Sequence, residues 1–232
     1  PDFKCKALSI EEIHELVEDM GRAAAMAKAA GVDVLEIHAY GGYLIDQFMS
    51  KIWNRRTDEY GGSFENRMRF FFQCFDAVRN AVGPDFPMTV KFTPQHGIPG
   101  GRTFEDEGIK IAEILDGMDI EYIHLDDGCY ERWNKAIPGA YDKAGGCLEV
   151  AKRLRAAGIK KPFMIQDKMV DPKMAEEAVE SVILEHHGNI ALGGVKVGNV
   201  LAIHQHMAAG SRADTGDHAQ QRGFAAAGGA QQ

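Results

Sequence analysis

The chain has 232 residues, 45% hydrophobic and 26% charged, the composition of a globular protein with one sizeable core rather than of a disordered or fibrous chain. Its 26 basic residues against 34 acidic ones give a net charge of -8; with no Lys/Arg-rich block, this argues against nucleic acid or an anionic membrane surface as partner. Cys5, Cys74, Cys129 and Cys147 are scattered and match neither a disulfide framework nor paired zinc ligands, so a reducing cytoplasm is the expected setting. No apolar run approaches the roughly 18 residues of a membrane span, and residues 1–20 are too polar and acidic for a signal peptide.

In chain order, residues 9–30 read as an amphipathic helix. Ser9 and Glu12 fit a capping box, Ile13, Leu16, Val17 and Met20 recur at helical spacing, and Gly31 ends it. Residues 32–38 are short, apolar and β-branched, as in a buried strand. A helix over 64–82 stops at Gly83-Pro84 and precedes a strand at 87–92. Thr103 caps a helix to about Leu115, followed by a strand at 120–125. A helix at 146–157 leads to a strand at 162–165, and Asp171-Pro172 opens a further helix with Pro in its first turn. A weaker fifth strand falls at 189–192. Strands separated by such helices call for an α/β fold with a parallel sheet, whose chemistry sits on the loops after the strand C-termini. Residues 211–232, rich in Ala, Gly and Gln without apolar periodicity, read as a disordered or non-native tail.

Those strand-end loops hold the candidate chemistry. His38 closes a strand, and Tyr43 follows five residues later on a loop that Gly41 and Gly42 let approach a ligand closely. A tyrosine hydroxyl, with a reference pKa near ~10, suits protonation of a carbanion or enolate; the plainer reading is that both rings cap a barrel. In residues 53–63, Arg55 and Arg56 beside Asp58 and Glu59 read as a bidentate network pinning a long loop. Lys91 interrupts an apolar strand, where an unpaired ammonium is costly, so it meets either an anion or polar ring in a pocket or a structural ion-pair partner. His186-His187 and His204-Gln205-His206 lack companion ligand spacing and read as solvated histidines.

The run Glu36-Ile37-His38-Ala39-Tyr40-Gly41-Gly42-Tyr43-Leu44-Ile45-Asp46-Gln47-Phe48, with Asn54-Arg55-Arg56-Thr57-Asp58-Glu59-Tyr60-Gly61-Gly62-Ser63 and Glu65-Asn66-Arg67, resembles the signature of the Old Yellow Enzyme family of FMN oxidoreductases. Gly100-Gly101-Arg102-Thr103 and Asp127-Gly128-Cys129-Tyr130-Glu131 resemble its 2-enoate and 2,4-dienoyl-CoA reductase branch. The resemblance covers roughly residues 7–179. It implies part of a TIM (β/α)8 barrel, about strands 4 to 8, that carries FMN. Hydride would pass from NADH or NADPH through the flavin to the β-carbon of an activated alkene, here an unsaturated acid or thioester. By the same resemblance Tyr43 is the proton donor, and His38 helps hold the carbonyl or carboxylate. Lys91 stands where the family has an arginine near the flavin, Tyr130 sits over the substrate, and Lys168 and Gly193 fall at the FMN-phosphate positions.

Several departures accompany the likeness. Gly41 replaces the second polar residue of the family's His-x-x-His/Asn pair. Gln166-Asp167-Lys168 stands for a small-Gly-Lys/Arg sequence, placing a carboxylate beside a dianionic phosphate. Ile190-Ala191-Leu192-Gly193-Gly194 matches the eighth strand but lacks its arginine. Strands one to three have no counterpart, so the expectation is a fragment of a longer product, with residues 1–194 the C-terminal barrel portion and 195–232 an aberrant tail beyond a frame shifted after about Val179. Two functional expectations follow: an ene-reductase completed by a missing barrel half or a homo-oligomer, or a non-catalytic half-barrel that retains no flavin and associates through its open edges.

Overall fold

The computed structural model describes residues 6–166, 168 and 170–178. Helix α1 (Ile10–Ala29) starts on a complete capping box: Ser9 Oγ accepts the Glu12 N–H at 3.2 Å while the Glu12 carboxylate accepts the Ser9 N–H at 2.9 Å. Strand β1 (Leu35–Ala39), helix α2 (Leu44–Met49), helix α3 (Phe64–Val82) and strand β2 (Met88–Phe92) follow. Thr103 is an N-cap as expected, but the turn it opens is a wide π turn, Phe104–Gly108, which runs into helix α4 (Ile109–Gly117). Next come strand β3 (Ile123–Leu125), a 3-10 turn (Tyr130–Arg132), the short helix α5 (Trp133–Ala136), helix α6 (Gly146–Ala156), strand β4 (Phe163–Ile165) and helix α7 (Pro172–Ala178). The fifth strand expected at 189–192 and the tail lie outside the described residues.

The four strands form one parallel sheet in the order β1-β2-β3-β4. Its two faces are unlike. Ile37, Ala39, Val90, Phe92, Ile123 and Leu125 are buried in a core with Phe71, Cys74, Val78, Leu148 and Leu154 of the helices. The alternating residues point the other way, and in register His38, Lys91 and His124 form one row across the three strands. That row is polar and lies on the side left open by the helices, so chemistry is possible there and not in the dry core. Among the described residues, no helix is long and apolar enough to cross a membrane.

The loop from Trp53 to Ser63 is pinned as its charges suggest. Arg56 grips Asp58 through Nε and Nη2, at 3.1 and 2.6 Å, and its Nη1 donates to the Leu8 carbonyl at 2.7 Å. Asn54 Nδ2 bridges the carbonyls of Phe48 and Tyr60 at 2.6 and 2.7 Å. The loop thereby ties α2 to the start of α3.

Candidate active site at the strand ends

Three strand-end loops are stitched together above the polar row. Gly41 and Cys129 form a parallel bridge, the Tyr130 N–H donates to the Gly41 carbonyl at 3.2 Å, and the Gly128 N–H donates to the Gln95 carbonyl at 3.2 Å. Gly41 and Gly42 have φ of 72° and 82°, a region open to glycine without a Cβ penalty. A Cβ on Gly42 would also press the Trp53 ring at 3.3 Å. The Gly41 backbone thus holds the neighbouring loop at Cys129 and Tyr130.

The stitching brings the sequence candidates together. The rings of His38 and Tyr43 lie 4.8 Å apart, those of Tyr43 and Tyr130 lie 5.3 Å apart, and the two tyrosine hydroxyls are hydrogen-bonded at 2.7 Å. Both tyrosines are partly open to solvent. Burial, then the Lys91 charge, pushes the His38 pKa below its ordinary value, so the ring is neutral near neutral pH and can donate one N–H. The hydrogen bond to Tyr43 and that neighbour's charge push the Tyr130 hydroxyl up, and either hydroxyl can donate in the contact between them.

Lys91 meets an ion-pair partner and an aromatic ring. Its Nζ is 3.0 Å from Asp126 and 4.8 Å from the centre of the Tyr40 ring. Burial raises the Asp126 pKa against the opposing pull of Lys91. Asp126 also accepts from Gln166 Nε2, the Gln166 Oε1 meets His124 Nε2 at 3.1 Å, and His124 Nδ1 meets Glu36 Oε2 at 2.7 Å. A polar chain thus runs along the open face from β1 to β4. Lys91 uses one of its three N–H donors on Asp126, and the others would be its donors to a flavin ring oxygen. Lys168 donates to the carbonyls of Gly139, Ala140 and Asp142 at 2.7, 2.7 and 2.8 Å. Gly193, Gly194 and Asp167 lie outside the described residues.

Sequence reasoning missed the support beneath Tyr43. Asp46, fully buried on α2, accepts the Gly42 N–H at 2.9 Å, Arg102 Nη2 at 2.9 Å and His96 Nε2 at 3.2 Å. The Arg102 N–H donates to His96 Nδ1 at 3.0 Å, so Nδ1 is the accepting nitrogen and Nε2–H is left to donate to Asp46. Burial would raise the Asp46 pKa, but the Arg102 charge and the His96 hydrogen bond overcome it and hold the carboxyl low. The only sequence signal was that Asp46 and Arg102 both fall within the recognised motifs, while His96 lies between them on the loop after β2.

The sequence profile of the NADH:flavin oxidoreductase / NADH oxidase family matches residues 1–182. The chain is 35% identical over 196 residues to cinnamate reductase of Clostridium sporogenes, covering 78% of this chain and 29% of that protein. A solved 2-naphthoyl-CoA reductase in complex with 2-naphthoyl-CoA superposes with a TM-score of 0.70 at 36% identity, over 76% of this chain and 26% of that one. An old yellow enzyme homologue from Zymomonas mobilis superposes with a TM-score of 0.60 at 30% identity, over 76% of this chain and 47% of that one. The parallel sheet and its helices are accordingly part of a TIM barrel, and the chain spans between about a quarter and a half of the length of these relatives. The chain belongs to the NADH:flavin oxidoreductase / NADH oxidase family, the Old Yellow Enzyme group, whose cofactor is FMN with NAD(P)H as reductant.

Proposed function

We propose that the His38–Tyr43–Tyr130 mouth is the alkene-binding half of an ene-reductase site, acting on an unsaturated acid or acyl thioester. The observation that carries this is the 2.7 Å contact between the Tyr43 and Tyr130 hydroxyls directly beside His38. Two relatives, named cinnamate reductase and 2-naphthoyl-CoA reductase, support an enoate or thioester as the substrate class. When bound, FMN would supply the hydride for the β-carbon, taken from NADH or NADPH. The remaining work falls to the chain's own residues. Neutral His38 donates its N–H to the substrate carbonyl or carboxylate oxygen, where negative charge develops. Tyr43 transfers its hydroxyl proton to the α-carbon. The phenolate left behind accepts the Tyr130 O–H, and the pair, open to water, recovers its proton from solvent. Lys91, held by Asp126, is the cation for the flavin ring, and Lys168 and Gly193 are the positions for its phosphate.

Tyr43→Phe should slow alkene reduction by about 10² to 10⁴, the range of general acid catalysis, while flavin reduction by NADH proceeds as before. Anaerobic stopped-flow of the two half-reactions measures this, and an equal loss in both would refute the donor role. A second reading has one observation in its favour. Lys168 is engaged by three carbonyls, which suits a non-catalytic half-barrel that retains no flavin and associates with another copy or another barrel half.

A further inference from the structure

Trp53 takes no part in the proposed reaction, yet its side chain touches all three strand-end loops that build the mouth. Its backbone is set by the turn after α2, where the Trp53 and Asn54 N–H groups both donate to the Ser50 carbonyl, at 3.3 and 2.8 Å. From there the half-buried indole reaches the loop after β1 at Gly42, where a Cβ would lie 3.3 Å from the edge of its six-membered ring. It reaches the loop after β2 at His96, with ring centres 4.6 Å apart. It reaches the loop after β3 at Glu131, whose Oε1 accepts from Trp53 Nε1 at 3.2 Å. Each of these partners is itself anchored. Gly42 is held by Asp46 at its N–H and by Gln47 Nε2 at its carbonyl, at 2.9 and 2.6 Å, and His96 is fixed between Asp46 and the Arg102 N–H. Burial works to raise the Glu131 pKa, but hydrogen bonds from its own N–H, the Cys129 thiol and the Trp53 indole hold it low. The indole therefore donates to a carboxylate, a stronger bond than one between neutral groups.

Gly42 precedes Tyr43 and Glu131 follows Tyr130, so the indole joins the neighbour of one tyrosine to the neighbour of the other. The two phenols need such a link. They are 44% and 52% exposed, and one hydrogen bond open to water does little to hold two side chains against their own rotamer freedom. The backbone contacts of Gly41 with Cys129 and Tyr130 fix one point between the loops. One point alone leaves two loops free to pivot, and the indole supplies a second. We infer that Trp53 is a positioning residue that sets the separation of the Tyr43 and Tyr130 hydroxyls, acting through Gly42 and Glu131. The inference rests on the proposed reaction, in which the Tyr43 phenolate takes the Tyr130 proton across that separation. Losing the register slows proton delivery and leaves the hydride source alone.

The test uses the whole 232-residue chain, isotope-labelled in its tyrosine rings, with the Tyr43 and Tyr130 signals identified in Tyr43→Phe and Tyr130→Phe. The native chain should show a nuclear Overhauser effect between the two rings, whose centres are 5.3 Å apart. Trp53→Leu should lose it while the signal of Tyr122, just ahead of β3, stays in place as a check on the fold. Trp53→Phe keeps a ring beside Gly42 and His96 but gives Glu131 no donor, so it should retain a weaker effect; it decides the matter if Trp53→Leu also moves Tyr122. With FMN bound, Trp53→Leu should slow the alkene half-reaction by about 10-fold to 10²-fold, the scale of an ångström-sized misplacement, with flavin reduction by NADH unchanged. A lowered urea midpoint with the ring contact intact would make Trp53 a packing residue only and overturn the inference, leaving the Tyr43 donor role standing. Absence of the ring contact in the native chain would overturn both.

Discussion

Asp46 holds a buried charge three residues after Tyr43, and the donors to its carboxylate belong to a different loop or to the turn that presents the tyrosine. Removing one member of a buried pair is costlier than removing both, because the survivor stays desolvated and unpaired. Arg102→Met should therefore destabilise the fold by about 3–5 kcal/mol, read as a lowered urea midpoint. The double variant with Asp46→Leu should recover part of that loss; no recovery would mean that Arg102 acts through its bond to the Thr93 carbonyl at 2.9 Å. His38 makes the pH prediction. Burial and Lys91 depress its folded pKa, while the unfolded ring titrates near about 6.5. Below that value the unfolded chain takes the proton first, so the stability contribution is complete above about pH 6.5 and drains as pH falls through the folded value. The drop in urea midpoint between about pH 7.5 and about pH 5.5 should shrink in His38→Gln; an unchanged drop would assign it to other groups. The closeness of the His38 and Tyr43 rings, 4.8 Å between centres, was legible in the sequence because they are neighbours at a strand end. The Asp46–His96–Arg102 cluster was not, because its members lie 50 and 56 residues apart and meet only once the sheet has aligned their loops.

Helix α3 shows which boundaries a sequence can announce. Ser63 caps the Asn66 N–H at 3.2 Å and Gly83 ends the helix at φ 87°, and the expected span of 64–82 is the observed one. The strands begin later than their apolar runs, at Leu35 rather than residue 32 and at Ile123 rather than residue 120, because pairing with the adjacent strand, not hydrophobicity, sets where a strand starts. The π turn at Phe104 was hidden for a related reason. Thr103 caps it as it would an α-helix, and what distinguishes it is tertiary: Gly108 lies so close to the Pro94 carbonyl that a Cβ would collide with it. Helix α2, six residues long, is too short for periodicity to reveal. The loop before α3 offers a paired test. A Cβ at Gly61 would run into the Arg56 carbonyl, whereas Gly62, at φ 78°, faces open space. Gly62→Ala should cost about 1–2 kcal/mol in left-handed strain. Gly61→Ala should cost more, since backbone must move in a loop already fixed by Arg56 and Asn54; thermal denaturation of the two variants ranks them, and the reverse order would reject the clash.

At the scale of the molecule, fold class was readable because four strand–helix alternations impose a parallel sheet, while the number of strands in the finished barrel was not. β1 and β4 are the outer strands of the described sheet, and the polar chain from Glu36 to Lys91 lies along its open face. This geometry bears on the proposed flavin binding. A dianionic phosphate meets a chain of net charge -8, and Lys168 is already satisfied by three carbonyls, so the phosphate must compete with them for the ammonium. If Lys168 serves the phosphate, Lys168→Met should weaken FMN binding about tenfold, the scale of one charge-assisted contact, and leave riboflavin, which lacks the phosphate, unchanged. Flavin fluorescence titration reads both ligands on the same protein. Equal losses for FMN and riboflavin would mean that Lys168 acts only by bracing residues 139–142. A native chain that carries no flavin once free FMN is removed would instead favour the non-catalytic half-barrel, since the proposed roles of Tyr43 and His38 need flavin beside them.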